Sequence, residues 1–207
     1  DFKIDIPKQL PSMSSMIVGF FSYDIIRYIE KIPDKCKDDI KIPDVRLSRP
    51  RNLIIYDNVK KKIHYIENVY SDTKIKNYFE AYNSIIRRFN LYQAYENIRL
   101  PEKFTFKKNK NPVRSNVSKK RFKHLVQKAK KYIKKGDIFQ VVLSQRFETK
   151  LTKSPLEIYK KLRITNPSPF MYFFNFKDFQ IIGASPEILV RLRNGQITIR
   201  PIAGTRP

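Results

Sequence analysis

Gly136-Asp-Ile-Phe-Gln-Val-Val-Leu-Ser-Gln-Arg-Phe147 is the stretch on which the reading of the fold turns. It opens on a glycine at the end of a helical pattern and runs at once into alternating residues. Before it, Ser118 is a helix cap, and Phe122, Leu125, Val126, Ala129, Tyr132 and Ile133 recur at helical spacing. Gly136 stands where a left-handed C-terminal residue is wanted. Phe139 to Phe147 then reads as a strand. Its alternation sets Phe139, Val141 and Leu143 on one face and Gln140, Val142 and Ser144 on the other.

The chain after it follows the same pattern. Ser154-Pro155 starts a helix with Pro in the tolerated first position, and the helix ends before Asn166-Pro167, because a residue preceding Pro avoids the helical region. Phe170 to Phe176, apolar on both faces, reads as a central strand that Lys177-Asp178 turns into Phe179 to Ala184. Beyond Ser185-Pro186, Ile188 to Leu192 and Gln196 to Ile199 flank Asn194-Gly195, the strongest short hairpin signal. Helix, strand, helix and antiparallel meander give an α+β class, with helices outside large antiparallel sheets.

Upstream, residues 1–15 read as a connecting segment and Met16 to Tyr23 as a buried strand around Gly19. Asp24 caps a short helix with Ile25, Ile26, Tyr28 and Ile29 inward. Ile32 to Arg51, with three prolines and many charges, reads as loop. Leu53 to Tyr56 and Lys62 to Ile66 form a hairpin around Asp57-Asn58. Ser71 or Asp72 caps a helix whose apolar face is Ile75, Tyr78, Phe79, Tyr82, Ile85, Ile86 and Phe89. The organisation expected is an N-terminal region, 1–92, a polar linker, 93–115, and a second unit, 116–207.

With 41% hydrophobic and 13% aromatic residues the chain can bury a core, and a single cysteine, Cys36, excludes a disulfide framework and suits a reducing cytosol. No apolar run is long enough to span a membrane, and none reads as a signal peptide. The net charge of +24 raises nucleic-acid binding as a class. The basic residues are spread along the chain, however, and the runs Lys107 to Lys110 and Lys128 to Lys135 fall in a loop and on a helix's polar face. The aromatics sit on inward faces rather than beside them. The expectation is no nucleic-acid partner.

Generic catalytic sets are missing from the pattern. His64 and His124 are isolated, Cys36 sits in a charged loop, and no glycine-rich phosphate loop occurs. Gln140, amid apolar neighbours, is either a satisfied buried amide or a group facing a ligand. Glu187 is the only carboxylate in a dense apolar stretch, either a strand-edge surface acid or a buried one.

Gly136 to Phe147, Gly183-Ala-Ser-Pro-Glu187 and Arg200-Pro-Ile-Ala-Gly-Thr-Arg-Pro207, in this order and spacing, resemble the chorismate-utilising enzymes, most closely the large (component I) subunits of anthranilate synthase. The resemblance implies two stacked antiparallel sheets flanked by helices. It also implies conversion of chorismate and ammonia to anthranilate and pyruvate in tryptophan biosynthesis, with ammonia supplied by a separate glutamine amidotransferase subunit (component II). Relatives that make isochorismate or salicylate carry a Lys, the base that activates water, at the position matching Gln140. Gln cannot deprotonate water, so ammonia is implied as nucleophile. The Glu matching Glu187 lies in the chorismate pocket, where an acid can hold or relay a proton as the ring hydroxyl leaves. Gly204 and Thr205 would approach the substrate with a backbone amide and a hydroxyl. Ala203 stands where aminodeoxychorismate synthases commonly carry a covalently acting Lys, so para-amination is disfavoured.

The stretch matching Asn166, Pro169, Phe170 and Met171 lines a tryptophan feedback pocket in anthranilate synthases. Phe170 stands where Tyr is frequent, and the pocket's other half would lie before Asp1. The family's Mg²⁺-binding glutamates and catalytic His are expected beyond Pro207, so no metal ligand is assigned in this chain. The chain is expected to be an internal piece, inactive alone. Aminodeoxychorismate synthase, isochorismate or salicylate synthase, and a basic nucleic-acid-binding module remain as alternatives.

Overall fold

The computed structural model describes residues 6–70, 77–96 and 111–201. The chain divides into two compact units, Asp1–Lys103 and Phe104–Pro207.

In the first unit, β1 (Val18–Phe21) pairs antiparallel with β2 (Val45–Ser48), setting Gly19 opposite Leu47. A Cβ on Gly19 would collide with the Arg46 carbonyl oxygen, so the two backbones approach this closely only at glycine. β2 lies in the stretch expected to be loop. Its Val-Arg-Leu-Ser alternation forms a ladder because β1 supplies a partner. Ser22 is the residue before the 3₁₀ turn Tyr23–Tyr28, and its hydroxyl donates to Asp44 Oδ1 at 2.6 Å. Asp24, expected as the cap, instead accepts from Arg27 Nε at 2.8 Å, a bond that raises the guanidinium pKa above its ordinary value. Ile25 and Ile26 are half-buried, whereas Tyr28 and Ile29 are exposed, contrary to the inward face expected.

β3 (Asn52–Asp57) and β4 (Lys62–Glu67) form the expected hairpin, in register from Asn52↔Glu67 to Asp57↔Lys62. The Lys60 and Val59 amides each donate to Asp57 Oδ1 at 2.9 Å, and these bonds hold the carboxyl below its usual range. α1 (Tyr78–Glu96) packs on β4: Tyr65 meets Phe89 edge-on at 5.0 Å and stacks on Tyr92 at 5.7 Å. The expected caps Ser71 and Asp72, and Ile75, lie outside the described residues. Asn77 Oδ1 accepts from the Glu80 amide at 2.9 Å, the bond of an N-cap. The helix also extends into the stretch expected to be linker.

The face of α1 that is half-buried carries Ala81, Ser84, Ile85, Phe89 and Tyr92; Tyr78, Phe79, Tyr82 and Ile86, expected inward, are exposed. Glu67 meets this half-buried face at Ser84. Its side chain is 1% exposed, and Oε1 accepts from Arg51 Nε at 3.0 Å, from Arg51 Nη2 at 2.8 Å and from Ser84 Oγ at 3.2 Å. One carboxylate thus ties the hairpin's open end to the helix. Among the described residues, Glu67 Oε2 and Asn52 Oδ1, on the same rung, are buried without a hydrogen-bond donor.

In the second unit, α2 (Lys119–Lys135) starts and stops as expected. Ser118 Oγ accepts from the Arg121 amide at 3.2 Å. Gly136 is left-handed at φ 79°, with its amide on the Ile133 carbonyl and the Asp137 amide on that of Tyr132, both at 3.1 Å. The strand expected over Phe139 to Phe147 does not form along 139–146. A strand is held by its ladder, and the one partner described, β5 (Arg114–Ser115), meets only β6 (Phe147–Glu148).

α3 (Pro155–Thr165) opens on a complete capping box. Ser154 Oγ accepts from the Glu157 amide, while Glu157 accepts from the Ser154 amide at 3.0 Å and from its hydroxyl at 3.1 Å. The Ser154 amide chiefly, with the hydroxyl, holds the Glu157 carboxyl below the ordinary glutamate range. A depressed folded value means that the box's contribution is complete above the unfolded pKa and is lost as pH falls through the folded one. Acidification across that window is expected to fray α3 first, read as faster amide exchange at 157–158. Glu157→Gln should remove the pH dependence and leave the helix in place.

β7 (Phe170–Asn175) and β8 (Gln180–Ser185) pair antiparallel from Phe170↔Ser185 to Asn175↔Gln180 around Lys177-Asp178. α3 covers one face, with Tyr159 and Phe173 at 5.8 Å. Along the hairpin, Tyr172, Phe174, Phe176 and Phe179 form a row of rings 5.5, 5.9 and 5.1 Å apart. Among the described residues β7, expected to be central, pairs with β8 alone. β9 (Arg191–Arg193) and β10 (Gln196–Thr198) close on Asn194 at φ 50° and Gly195 at φ 76°, the two left-handed residues of a type I′ turn, with shorter strands than expected. The class is α+β, as expected. Among the described residues all pairing is antiparallel, in five two-stranded ladders.

Candidate active site

The site residues that the structure brings together lie at one end of the β7–β8 hairpin. α3 stops at Asn166, whose amide donates to the Leu162 carbonyl at 2.8 Å, and Pro167 bars a further turn. The chain then enters β7 at Phe170, which pairs with Ser185, the last residue of β8. Two residues on stands Glu187, half-buried. Asn166, Pro169, Phe170 and Met171 are therefore joined to the Glu187 segment by a single rung.

Ser185 is a residue to which the sequence alone assigns no role. Its hydroxyl donates to the Glu187 carbonyl at 3.1 Å. A Ser two residues before the acid, with Pro between, is the signal that could have identified it. Along β7 alternation sends Phe170 and Met171 to opposite faces. Phe170 is 44% exposed, while Met171 is half-buried on the face shared with Phe173. A ligand on one face thus meets one of these side chains and not both. Asn166 and Pro169 are exposed.

Gln140 stands elsewhere, exposed in the irregular segment between α2 and β6. The apolar surroundings expected for it are absent, since Phe139, Val141 and Val142 are themselves exposed. Among the described residues no hydrogen bond joins it to Glu187. Ala203, Gly204 and Thr205 lie outside the described residues. His64 is half-buried across from Ile55, and His124 and Cys36 are exposed. Among the described residues, no group of three or more His, Cys, Asp or Glu side chains could hold a metal ion. No helix there is long and apolar enough to cross a membrane. A groove of about 470 Å³ lies between β5–β6 and the first turns of α2, lined by Ser115, Val117, Lys119, Phe122, Lys123, Gln145 and Phe147, with none of the candidate residues among them.

Similarity to known proteins extends over nearly all of the chain. It is 42% identical over 206 residues to anthranilate synthase component 1 of Acetivibrio thermocellus, covering 95% of this chain and 41% of that protein. It is 38% identical over 205 residues to the protein of the same name from Cereibacter sphaeroides, covering 99% of this chain and 41% of that one. In three dimensions it matches the crystal structure of anthranilate synthase component I from Streptococcus pneumoniae TIGR4 with a TM-score of 0.80 at 34% identity, over 95% of this chain and 44% of that one. The chain thus spans about two fifths of the length of the curated relatives it matches. Residues 3–207 match the family described as chorismate binding enzyme, and with sequence and fold in agreement the chain belongs to that family.

Proposed function

We propose that the complete protein is the large subunit of an anthranilate synthase, a lyase that converts chorismate and ammonia to anthranilate and pyruvate in aromatic amino-acid biosynthesis. The observation that carries this reading is the similarity, over 95–99% of the chain, to proteins named anthranilate synthase component 1. Two positions support it chemically. Gln140 offers no base to activate water, and Ala203 offers no amine for a covalent intermediate.

In this reading Glu187 holds or delivers the proton that the departing ring hydroxyl needs, from the end of β8. Gly204 and Thr205 supply an amide and a hydroxyl to the substrate's carboxylate or ring oxygens. Mg²⁺ belongs to the proposal as a hard cation suited to a carboxylate-bearing substrate. The described residues do not form a site for it, so no step here runs through it. A separate amidotransferase subunit supplies ammonia, tryptophan inhibits through the 166–171 stretch, and the cytosol is the compartment.

The test is incubation of the complete protein with chorismate, Mg²⁺ and ammonium, with products separated and identified by fluorescence and chromatography. Anthranilate together with pyruvate is the expected result. Aminodeoxychorismate would overturn the argument from Ala203, and isochorismate the argument from Gln140.

A further inference from the structure

We infer that Ser185 is a positioning residue for Glu187. The inference rests on the proposed role of Glu187 in the chorismate pocket, and it concerns how that carboxylate is held.

Three constraints meet at the end of β8. The backbone of Ser185 is fixed by its rung to Phe170, the first residue of β7. Pro186 follows, and its ring fixes φ near one value. The Ser185 hydroxyl then reaches forward to the Glu187 carbonyl at 3.1 Å. This last bond is the one that matters, because the chain beyond β8 has no ladder until Arg191. Residues 186–190 are irregular, so the peptide that Ser185 grips contributes to the direction in which Glu187 leaves the backbone. Both residues are half-buried, so water replaces the hydroxyl less freely than at an exposed turn.

The choice of side chain follows. Serine combines an O–H donor with a reach of one carbon, which suits a carbonyl two residues ahead. Threonine keeps the donor, and alanine removes it while leaving strand, rung and proline intact. A displacement of about 1 Å at a catalytic group can cost about a hundredfold in rate, although the substrate still binds. Ser185→Ala should therefore lower kcat far more than it raises KM.

The experiment uses the complete protein and compares Ser185→Ala, Ser185→Thr, Glu187→Gln and the double variant Ser185→Ala with Glu187→Gln. Ser185→Ala is expected to lower kcat about tenfold to a hundredfold, with KM for chorismate changed less than about twofold, and Ser185→Thr to restore most of the loss. If Ser185 acts through Glu187, its removal costs nothing further in the Glu187→Gln background. A kcat unchanged by Ser185→Ala, or a full additional loss in the double variant, overturns the inference.

Backbone NMR without substrate provides a second readout. The Glu187 carbonyl carbon and the Ile188 amide nitrogen belong to the gripped peptide, and both resonances should move in Ser185→Ala while those of the β8 amides stay in place. Unchanged resonances at this peptide also overturn the inference. A wild-type protein that makes no anthranilate sinks the functional reading instead, and the NMR result then decides whether Ser185 holds this segment.

Discussion

Glu187→Gln in the complete protein is expected to lower kcat about 10²–10⁴-fold, with a much smaller change in KM for chorismate. Gln has nearly the shape of Glu and can still accept and donate hydrogen bonds, so the pocket's packing and most substrate contacts survive. What is lost is a group that can carry a proton. On the proposed reaction the ring hydroxyl departs as water, and it must be protonated as its bond to carbon breaks. Glu187 is half-buried, two residues beyond the end of the β7–β8 ladder. Initial rates at saturating chorismate, followed by anthranilate fluorescence, give the answer. A loss below about threefold would remove Glu187 from the proton path, since positioned acids and bases contribute at least a hundredfold. Ser185→Ala leaves the carboxylate in place and should fall between this variant and the wild type.

The second large effect concerns stability. Glu67→Ala should destabilise the first unit by about 2–4 kcal/mol, because it removes hydrogen bonds from a charged acceptor and leaves a half-buried hydroxyl short of a partner. Arg51 Nε and Nη2 and Ser84 Oγ all converge on Glu67 Oε1. The Arg51 side chain is 36% exposed and can regain water, which keeps the loss below that of a fully buried pair. Glu67→Gln should cost less than half as much, since its amide can donate toward Asn52 Oδ1 on the same rung, an acceptor without a donor. Urea unfolding of the complete protein should show an earlier first transition for Ala, an intermediate one for Gln, and unchanged slopes. Equal losses for the two variants would mean that the carboxylate serves packing alone.

What could be read from sequence was what is decided locally. Ser118 and Gly136 bound α2, Ser154 and Glu157 box α3, and Asn194-Gly195 closes a hairpin, because each signal acts within a few residues of itself. What depends on a distant partner was misjudged. Phe139 to Phe147 has strand alternation but meets β5 only at its last residues. Val45 to Ser48 looked like loop among prolines, yet β1 makes it a strand. Of the apolar stripe expected on α1, Ile85 and Phe89 turn in while Tyr78, Phe79, Tyr82 and Ile86 do not, and the bond from Ser84 to Glu67 lies on the face that turns in. At the candidate site, resemblance pointed to Glu187. The grip of Ser185 on its carbonyl depends on where the chain turns after β8, which no residue type specifies.

The two-stranded ladders bear on how the chain behaves as a solute. Among the described residues no strand is flanked on both sides, so each ladder leaves edges that are not paired with another described strand. Such edges recruit other chains. Several carry cations, among them Arg46 on β2, Lys62 on β4, Arg114 on β5, and Arg191 and Arg193 on β9. With a net charge of +24, copies of the chain repel one another before their edges can meet. That repulsion reaches about 10 Å at 0.1 M salt and only about 3 Å at 1 M. Added salt is therefore expected to weaken the repulsion between copies of the chain, which light scattering against ionic strength would show.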